Sequence, residues 1–329
     1  MATRHPLTFL IGFAMLIRRL LITATIAATL PAAVFAAPFA YVPNEGSGTV
    51  SVIDTVTDKV ITDIPAGKKP RGIAAGLDGH WLYVSDQPNS SLQLIDLRER
   101  KPAGTVDLGE SPEGVSISAD GRWVVAAVEE RNEIVITDTR TNKLAFAIPV
   151  KGKNPEHAVF SPDGKVIFVS AEEGDAVDVI DFITRKQVTQ IAVGARPRGI
   201  GFLPDSSRAY VATENSNEVF VIDVATLKIL TRVKAGLRAN GIAVHPDGSR
   251  VYISNGGDAN VSVLDTKTNT IVATVPVGQR PWNMALTPDG KKLYVANGRS
   301  GTVSVIDTVS NTKLRDVATG KLPWGVVIR

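Results

Sequence analysis

Seven aspartates, Asp54, Asp96, Asp138, Asp181, Asp223, Asp265 and Asp307, each close a short apolar run, at steps of 42, 42, 43, 42, 42 and 42 residues. A second marker keeps the same step: Pro70, Pro112, Pro155, Pro197, Ala239, Pro281 and Pro323. A third is the turn Asp-Gly at Asp78, Asp120, Asp163, Asp247 and Asp289, with Asp205-Ser206 in the fifth unit. A period of this length is the signature of propellers and solenoids. The reading within one unit is all strand. In Pro281–Gly320, "WNMALTP", "KKLYVAN", "GTVSVIDT" and "TKLRDVATG" are four short runs separated by Gly, Pro, Asn and Asp, residues that make tight turns. No segment keeps a helical period over a useful length. Four short antiparallel strands per unit describe a propeller blade.

The two ends of the repeat decide between ring and solenoid. The first unit begins at a second strand, "FAYVPN" (Phe39–Asn44), and lacks a first. The chain closes on "PWGVVIR" (Pro323–Arg329), a first strand with nothing after it. The fragments add up to one blade. The expected fold is therefore an all-β, seven-bladed β-propeller occupying 37–329, closed by strands from both termini so that no sheet edge is left unpaired inside the ring. The identical "GTVSVIDT" at Gly48–Thr55 and Gly301–Thr308 then marks third strands of adjacent blades. An open solenoid would need atypical polar caps, and none is visible.

The start of the chain reads as an export signal. Arg18 and Arg19 precede the apolar run Leu20–Leu30 and then "PAAVFA", which predicts cleavage after Ala36. The run is too short to span a bilayer comfortably. Met15 opens a complete signal by itself and is read as the true start. Arg18-Arg19-Leu20-Leu21-Ile22 loosely resembles a twin-arginine signal, but an ordinary basic n-region is the favoured reading. The expected location is the periplasm or the medium. Residues 1–36 hold three arginines and no acid, so removing them takes the 36 Lys and Arg to 33, equal to the 33 Asp and Glu. Net zero charge argues against a nucleic-acid-binding propeller, the third function class considered. Zero cysteines exclude disulfides, a lipid-anchored cysteine, c-type haem and thiolate metal sites together.

The seven repeated aspartates are read as turn residues, because each precedes a turn whose backbone N–H groups a carboxylate can accept. Function is expected instead where the repeat breaks. The residues that follow the proline marker are Arg71, Glu113, Glu156, Arg198, Asn240, Trp282 and Trp324. First strands line a propeller's channel, so these seven are predicted at its mouth, with an Arg-Glu-Glu-Arg arc facing two tryptophans. Two readings stay open. Arg71–Glu113 and Glu156–Arg198 are inter-blade ion pairs and the tryptophans close the seam; or the ring is a pocket with an aromatic wall for a small ligand or a partner's loop. The loops after the second strands, "EERNE" (129–133), "EEGDA" (172–176) and "ENSNE" (214–218), read as a solvated acidic rim on the same face, beside basic Lys68, Lys69, Lys151, Lys153, Arg196, Arg238 and Arg280.

Catalytic signals are weak. His80, His157 and His245 lie in three blades and on two faces, so they make no joint metal site. Glu113 and Glu156 could pair as acid and base, or hold a divalent cation with Asn240. No cofactor or stoichiometric metal is expected.

The segments "YVSD", "YVAN", "VIDT" and "PVG" resemble the YVTN family of β-propeller repeats over nearly all of 37–329. The order of residues after the markers, ending in Pro323-Trp324-Gly325-Val326 with Trp282 one unit earlier, resembles the seven-repeat exported propellers of pyrroloquinoline-quinone-dependent alcohol catabolism. Glu156-His157 and Ala239-Asn240 depart from that pattern. The resemblance implies a non-enzymatic binding or scaffold protein, with a periplasmic quinoprotein dehydrogenase, a transport component or a small ligand as partner. The enzyme alternative is a propeller lactonase with a metal in its channel.

Overall fold

The computed structural model describes residues 38–329, and the export signal, the cut after Ala36 and the start at Met15 lie outside the described residues. The strands form seven four-stranded antiparallel sheets. Blade two, for example, runs Pro70–Ala75, Trp81–Asp86, Ser91–Asp96 and Lys101–Asp107 in simple meander order. The one helical turn among the described residues is a single 3-10 turn at Gln87–Asn89.

Blade one is assembled from both ends of the repeat. Phe39–Asn44, Thr49–Asp54 and Lys59–Pro65 take Val327–Ile328 as their innermost strand, with Tyr41 opposite Val327 and Ala40 opposite Ile328. Pairing resumes at a bridge between Asn44 and Pro323. The stretch Trp324–Val326 between them is out of the ladder, so the last strand is shorter than the sequence predicts. The interruption follows the marker proline, as it does elsewhere: register shifts sit between Pro70 and Ile73 and between Pro281 and Met284. Val327–Ile328 packs against the first strands of blades two and seven, which closes the ring.

Burial follows strand position. Second and third strands are buried almost throughout, as in Trp81–Asp86 and Thr302–Asp307, while fourth strands alternate between exposed and half-buried. Seven apolar clusters result, one between each pair of neighbouring blades. The closing cluster joins Ala40, Val42 and Ile53 of blade one to Tyr294, Ala296, Val303 and Val305 of blade seven, with Val326 between them. Face-to-face packing of neighbouring sheets explains why the repeat is written in Val, Ile, Ala and Tyr.

The seven aspartates do what turn residues do. Asp54 Oδ1 accepts from Val56 N–H at 2.7 Å, Asp223 Oδ1 from Thr226 N–H at 2.7 Å and Asp307 Oδ1 from Ser310 N–H at 2.7 Å. Asp96, Asp138, Asp181 and Asp265 repeat the contact. The "YV" tyrosines latch one blade to the next: Tyr83 Oη donates to Asn142 Oδ1 at 3.0 Å in blade three. At the closure, Tyr294 Oη donates to Asp58 of blade one, and Lys292 Nζ reaches both oxygens of that carboxylate at 2.9 and 3.0 Å. Losing one hydrogen bond to a buried charged group costs about 1.5–3 kcal/mol. Tyr294→Phe is therefore expected to lower the melting temperature by a few degrees in calorimetry, and an unchanged melt would show that Lys292 alone holds the latch.

Candidate functional site

The inner strands sit so close that the residue after each marker has nowhere to go but the channel mouth. The next position is glycine in most blades. A Cβ on Gly72 would stand 2.2 Å from the Glu113 carbonyl oxygen of the neighbouring blade, and one on Gly241 would stand 2.4 Å from that of Trp282. Both are impossible contacts, so the backbones touch there and the preceding side chain carries all the variation.

Arg71, Glu156, Arg198, Asn240, Trp282 and Trp324 line one cavity of about 320 Å³. That size suits a small molecule. Glu113, predicted beside them, is not on its wall. It is fully buried, because Arg71 Nη1 and Gln87 Nε2 both cover its Oε1. Both predicted ion pairs form: Arg71 meets Glu113, and Arg198 Nη1 lies 2.5 Å from Glu156 Oε1. Pairing and cavity lining, written as alternatives, coexist.

The loops read as a solvated rim turn inward at their first residue. Glu129 and Glu172 line the cavity, and Glu214 is completely buried beside it. Four arginines converge on Glu214: Arg238 Nε and Arg280 Nη2 at 2.8 Å, Arg198 Nε at 2.9 Å and Arg196 Nε at 3.3 Å. Burial pushes the Glu214 carboxyl up, but Arg198 and Arg280 outweigh it and hold it at about 2. Arg280 Nη1 is buried with no partner among the described residues.

Next to this cluster, in blades three and four, the mouth is acidic. Oxygens of Glu129, Glu156 and Glu172 all lie within 4.8 Å of one another. Arg198 Nη1 serves Glu156 and, at 2.9 Å, Glu172; Arg196 also pairs with Glu172. Among the described residues Glu129 has only the Ser111 hydroxyl as a hydrogen-bond partner, at 2.8 Å. Burial and the Glu156 charge push Glu172 up to about 7 and raise Glu129 as well. Burial opposes the charge on Glu156 too, yet Arg198 keeps it below the usual range.

The tryptophans play different parts. Trp324 is nearly buried and stacks on His157 of blade four, with ring centroids 5.4 Å apart and planes 19° from parallel. It therefore crosses the channel and separates the mouth from the interior, where neither ring nitrogen of His157 has a partner among the described residues and burial lowers its pKa. Trp282 is half-buried, and its six-membered ring lies on Gly298, where a Cβ would sit 2.6 Å from it. His80 and His245 sit elsewhere, on Asp96 and Asp247.

The residues that the sequence analysis read as rim, not as cavity wall, fall on two registers. Counting back nine from each repeated aspartate gives Glu45, Gln87, Glu129, Glu172, Glu214, Gly256 and Gly298. The residue before each marker gives Lys69, Ser111, Asn154, Arg196, Arg238, Arg280 and Leu322. These are two further rings that vary from blade to blade.

Solved propellers align over most of the chain. A Kuenenia stuttgartiensis protein described as hydrazine synthase is 24% identical over 82% of this chain and 92% of its own, with a TM-score of 0.76. A functionally unknown protein from Desulfotomaculum acetoxidans is 20% identical over 88% and 98%, with a TM-score of 0.78. A candidate 6-phosphogluconolactonase from Bacteroides uniformis is 21% identical over 89% and 100%, with a TM-score of 0.75. At these identities the likeness is one of fold. No curated protein matches the chain. A family model does, over residues 3–328, and with seven four-stranded blades closed by both termini the chain belongs to the YNCE-like beta-propeller family.

Proposed function

We propose that the protein is an exported, non-enzymatic binding protein that holds a small anionic organic ligand at the channel mouth, as an accessory to alcohol oxidation by quinoproteins. One observation carries the binding part: positions that differ from blade to blade converge on a single cavity whose wall includes Arg71, Arg196, Arg198 and Arg280. A carboxylate on the ligand would pair with these guanidiniums, and Trp282 offers a ring face for the rest of the molecule. The quinoprotein setting rests on the Pro-Trp-Gly-Val ending and the Trp of the preceding unit.

The test is titration calorimetry of the protein without residues 1–36 against organic acids produced by alcohol oxidation, and against a periplasmic quinoprotein dehydrogenase. Trp282→Ala is expected to weaken binding at least fivefold, about 1 kcal/mol or more, with the melting temperature held. Unchanged affinity with a collapsed melt would make Trp282 a seam residue. The lactonase alternative draws on the carboxyl groups of Glu156 and Glu172 beside the same cavity. Lactone hydrolysis above background by the same preparation would overturn the non-enzymatic part.

A further inference from the structure

We propose that the channel beneath the Trp324–His157 stack is a second binding site, which takes one small uncharged molecule with a hydroxyl group on an apolar body. The site is separate from the mouth and does not rest on the reading given above for it.

The first support is a cavity of about 150 Å³ in the channel, to which all seven blades contribute. Ile73, Val115, Ile200, Ile242 and Val326 give it apolar walls, and no Asp, Glu, Lys or Arg lines it. Its polar side chains are His157 and Asn283, beside the indole of Trp324. An apolar cavity of about this volume holds a molecule as large as benzene, with about six non-hydrogen atoms. Water fills such a space poorly. About five waters, at roughly 30 Å³ each, would share those few polar groups, whereas a buried water makes roughly three hydrogen bonds. Trp324 and Asn283 also line the mouth, so they form the partition between the two cavities.

The second support is a break in the repeat. The second residue after the marker is Gly72, Gly114, Gly199, Gly241 and Gly325 in five blades, and His157 and Asn283 in the other two. Close approach of the inner strands favours glycine at this register, as the crowding around Gly72 and Gly241 shows. The two departures, in blades four and seven, meet on the wall of one cavity. Apolar side chains would fill the same space, and the chain places an imidazole and an amide there.

The third support is an unsatisfied imidazole. Both ring nitrogens of His157 are buried, and neither has a partner among the described residues. Burial favours the neutral ring, which has one N–H donor and one acceptor nitrogen. The Asn283 amide lies near enough to oppose the effect of burial, yet no hydrogen bond of ordinary geometry joins the two. A hydroxyl both donates and accepts, so one hydroxyl can bridge an imidazole and an amide that do not reach each other. With no hydrogen bond to hold it, the imidazole is free to turn about Cβ–Cγ and bring a nitrogen to that hydroxyl. A charged ligand is disfavoured, because nothing on this wall would compensate its lost hydration.

The experiment uses the chain without residues 1–36, labelled with nitrogen-15 histidine, which leaves His80, His157 and His245 as the labelled rings. Cyclopentanol is the probe, and cyclopentanecarboxylate and cyclopentylammonium at pH 7.5 are its charged counterparts. Each is titrated by calorimetry and by nitrogen-15 NMR of the imidazoles. Cyclopentanol is expected to bind one per chain with Kd of about 1 mM or tighter, within reach of a ligand of this size. The His157 ring signals should shift saturably while those of His80 and His245 stay in place. His157→Phe keeps a ring on Trp324 and removes both nitrogens. It should weaken cyclopentanol at least about tenfold while melting within a few degrees of wild type. Ile242→Phe, which fills the cavity from another blade, should abolish binding. No saturable heat or shift up to about 10 mM cyclopentanol would overturn the proposal and leave a channel that holds water only. Affinity unchanged in both variants would place the probe elsewhere on the protein. Equal affinity for either charged counterpart would overturn the choice of an uncharged ligand.

Discussion

Removing Pro323–Arg329 is expected to lower the melting temperature by about 10 °C or more. The seven residues carry the inner strand of blade one, Val327–Ile328, and the bridge at Pro323. Their backbone is tied to the first described strand by Phe39 N–H to the Arg329 oxygen at 2.7 Å, Arg329 N–H to Phe39 at 2.9 Å and Trp324 N–H to Pro43 at 2.9 Å, besides the Tyr41–Val327 register. Each net hydrogen bond contributes about 1 kcal/mol. Trp324 and Val326 are both nearly buried, and burying each is worth roughly 1.5–3 kcal/mol. Val326 also belongs to the cluster that seals blade seven to blade one. The deletion thus removes several kcal/mol and exposes the inner edge of Phe39–Asn44 to other chains. For a chain of this size, each kcal/mol moves the melt by about 2 °C or slightly more. Scanning calorimetry of the truncated and full proteins decides it. Equal melting temperatures would mean that the ring does not depend on its clasp.

The clasp was legible because a repeat of nearly fixed step leaves its remainder at the ends. The blade count, the strand order and the turn role of the aspartates follow from the same arithmetic, since each is a property of one unit copied seven times. The mouth was legible only in part. Arg71, Glu156, Arg198, Asn240, Trp282 and Trp324 stand out because they differ where neighbouring positions agree, and they line the cavity. Glu129, Glu172 and Glu214 are equally variable, but they sit in loops rich in other acids such as Glu130, Glu173 and Glu218. Judged by composition, such loops look solvated. Judged by register, nine residues before the aspartate, their first members fall on a ring that points inward. The stacking of Trp324 on His157 lay beyond the repeat, because it joins blades one and four across the channel, and its distance depends on the diameter of the ring. Glu113 failed as a wall residue for a local reason: blade two has Gln87 where blades one, three, four and five have glutamate, and the amide covers the Glu113 carboxylate.

Glu214→Gln is expected to cost about 3 kcal/mol and to lower the melting temperature by roughly 6 °C or more. Glu214 is the single buried carboxylate on which Arg196, Arg198, Arg238 and Arg280 converge. A glutamine has nearly the same shape and keeps one acceptor oxygen, so the loss measured is mainly that of charge. Arg280 loses its anionic partner outright, and Arg238 loses its own; Arg198 retains Glu156 and Glu172, and Arg196 retains Glu172. Unpaired guanidiniums in a partly buried cluster repel one another, and that repulsion is where the cost arises. The pH dependence carries a sign that checks the mechanism. The folded carboxyl sits at about 2, depressed from an ordinary value of 4.5. A depressed acid contributes its full stabilisation above the unfolded value and loses it as the pH falls toward the folded one. The gap in melting temperature between wild type and Glu214→Gln should therefore be constant above about pH 5 and shrink as the pH drops from 4.5 toward 2. Melts at pH 7, 5, 4 and 3 give the curve. A gap that stays constant down to pH 3 would mean that the glutamine costs stability through packing, and that the four arginines do not depend on the charge of Glu214.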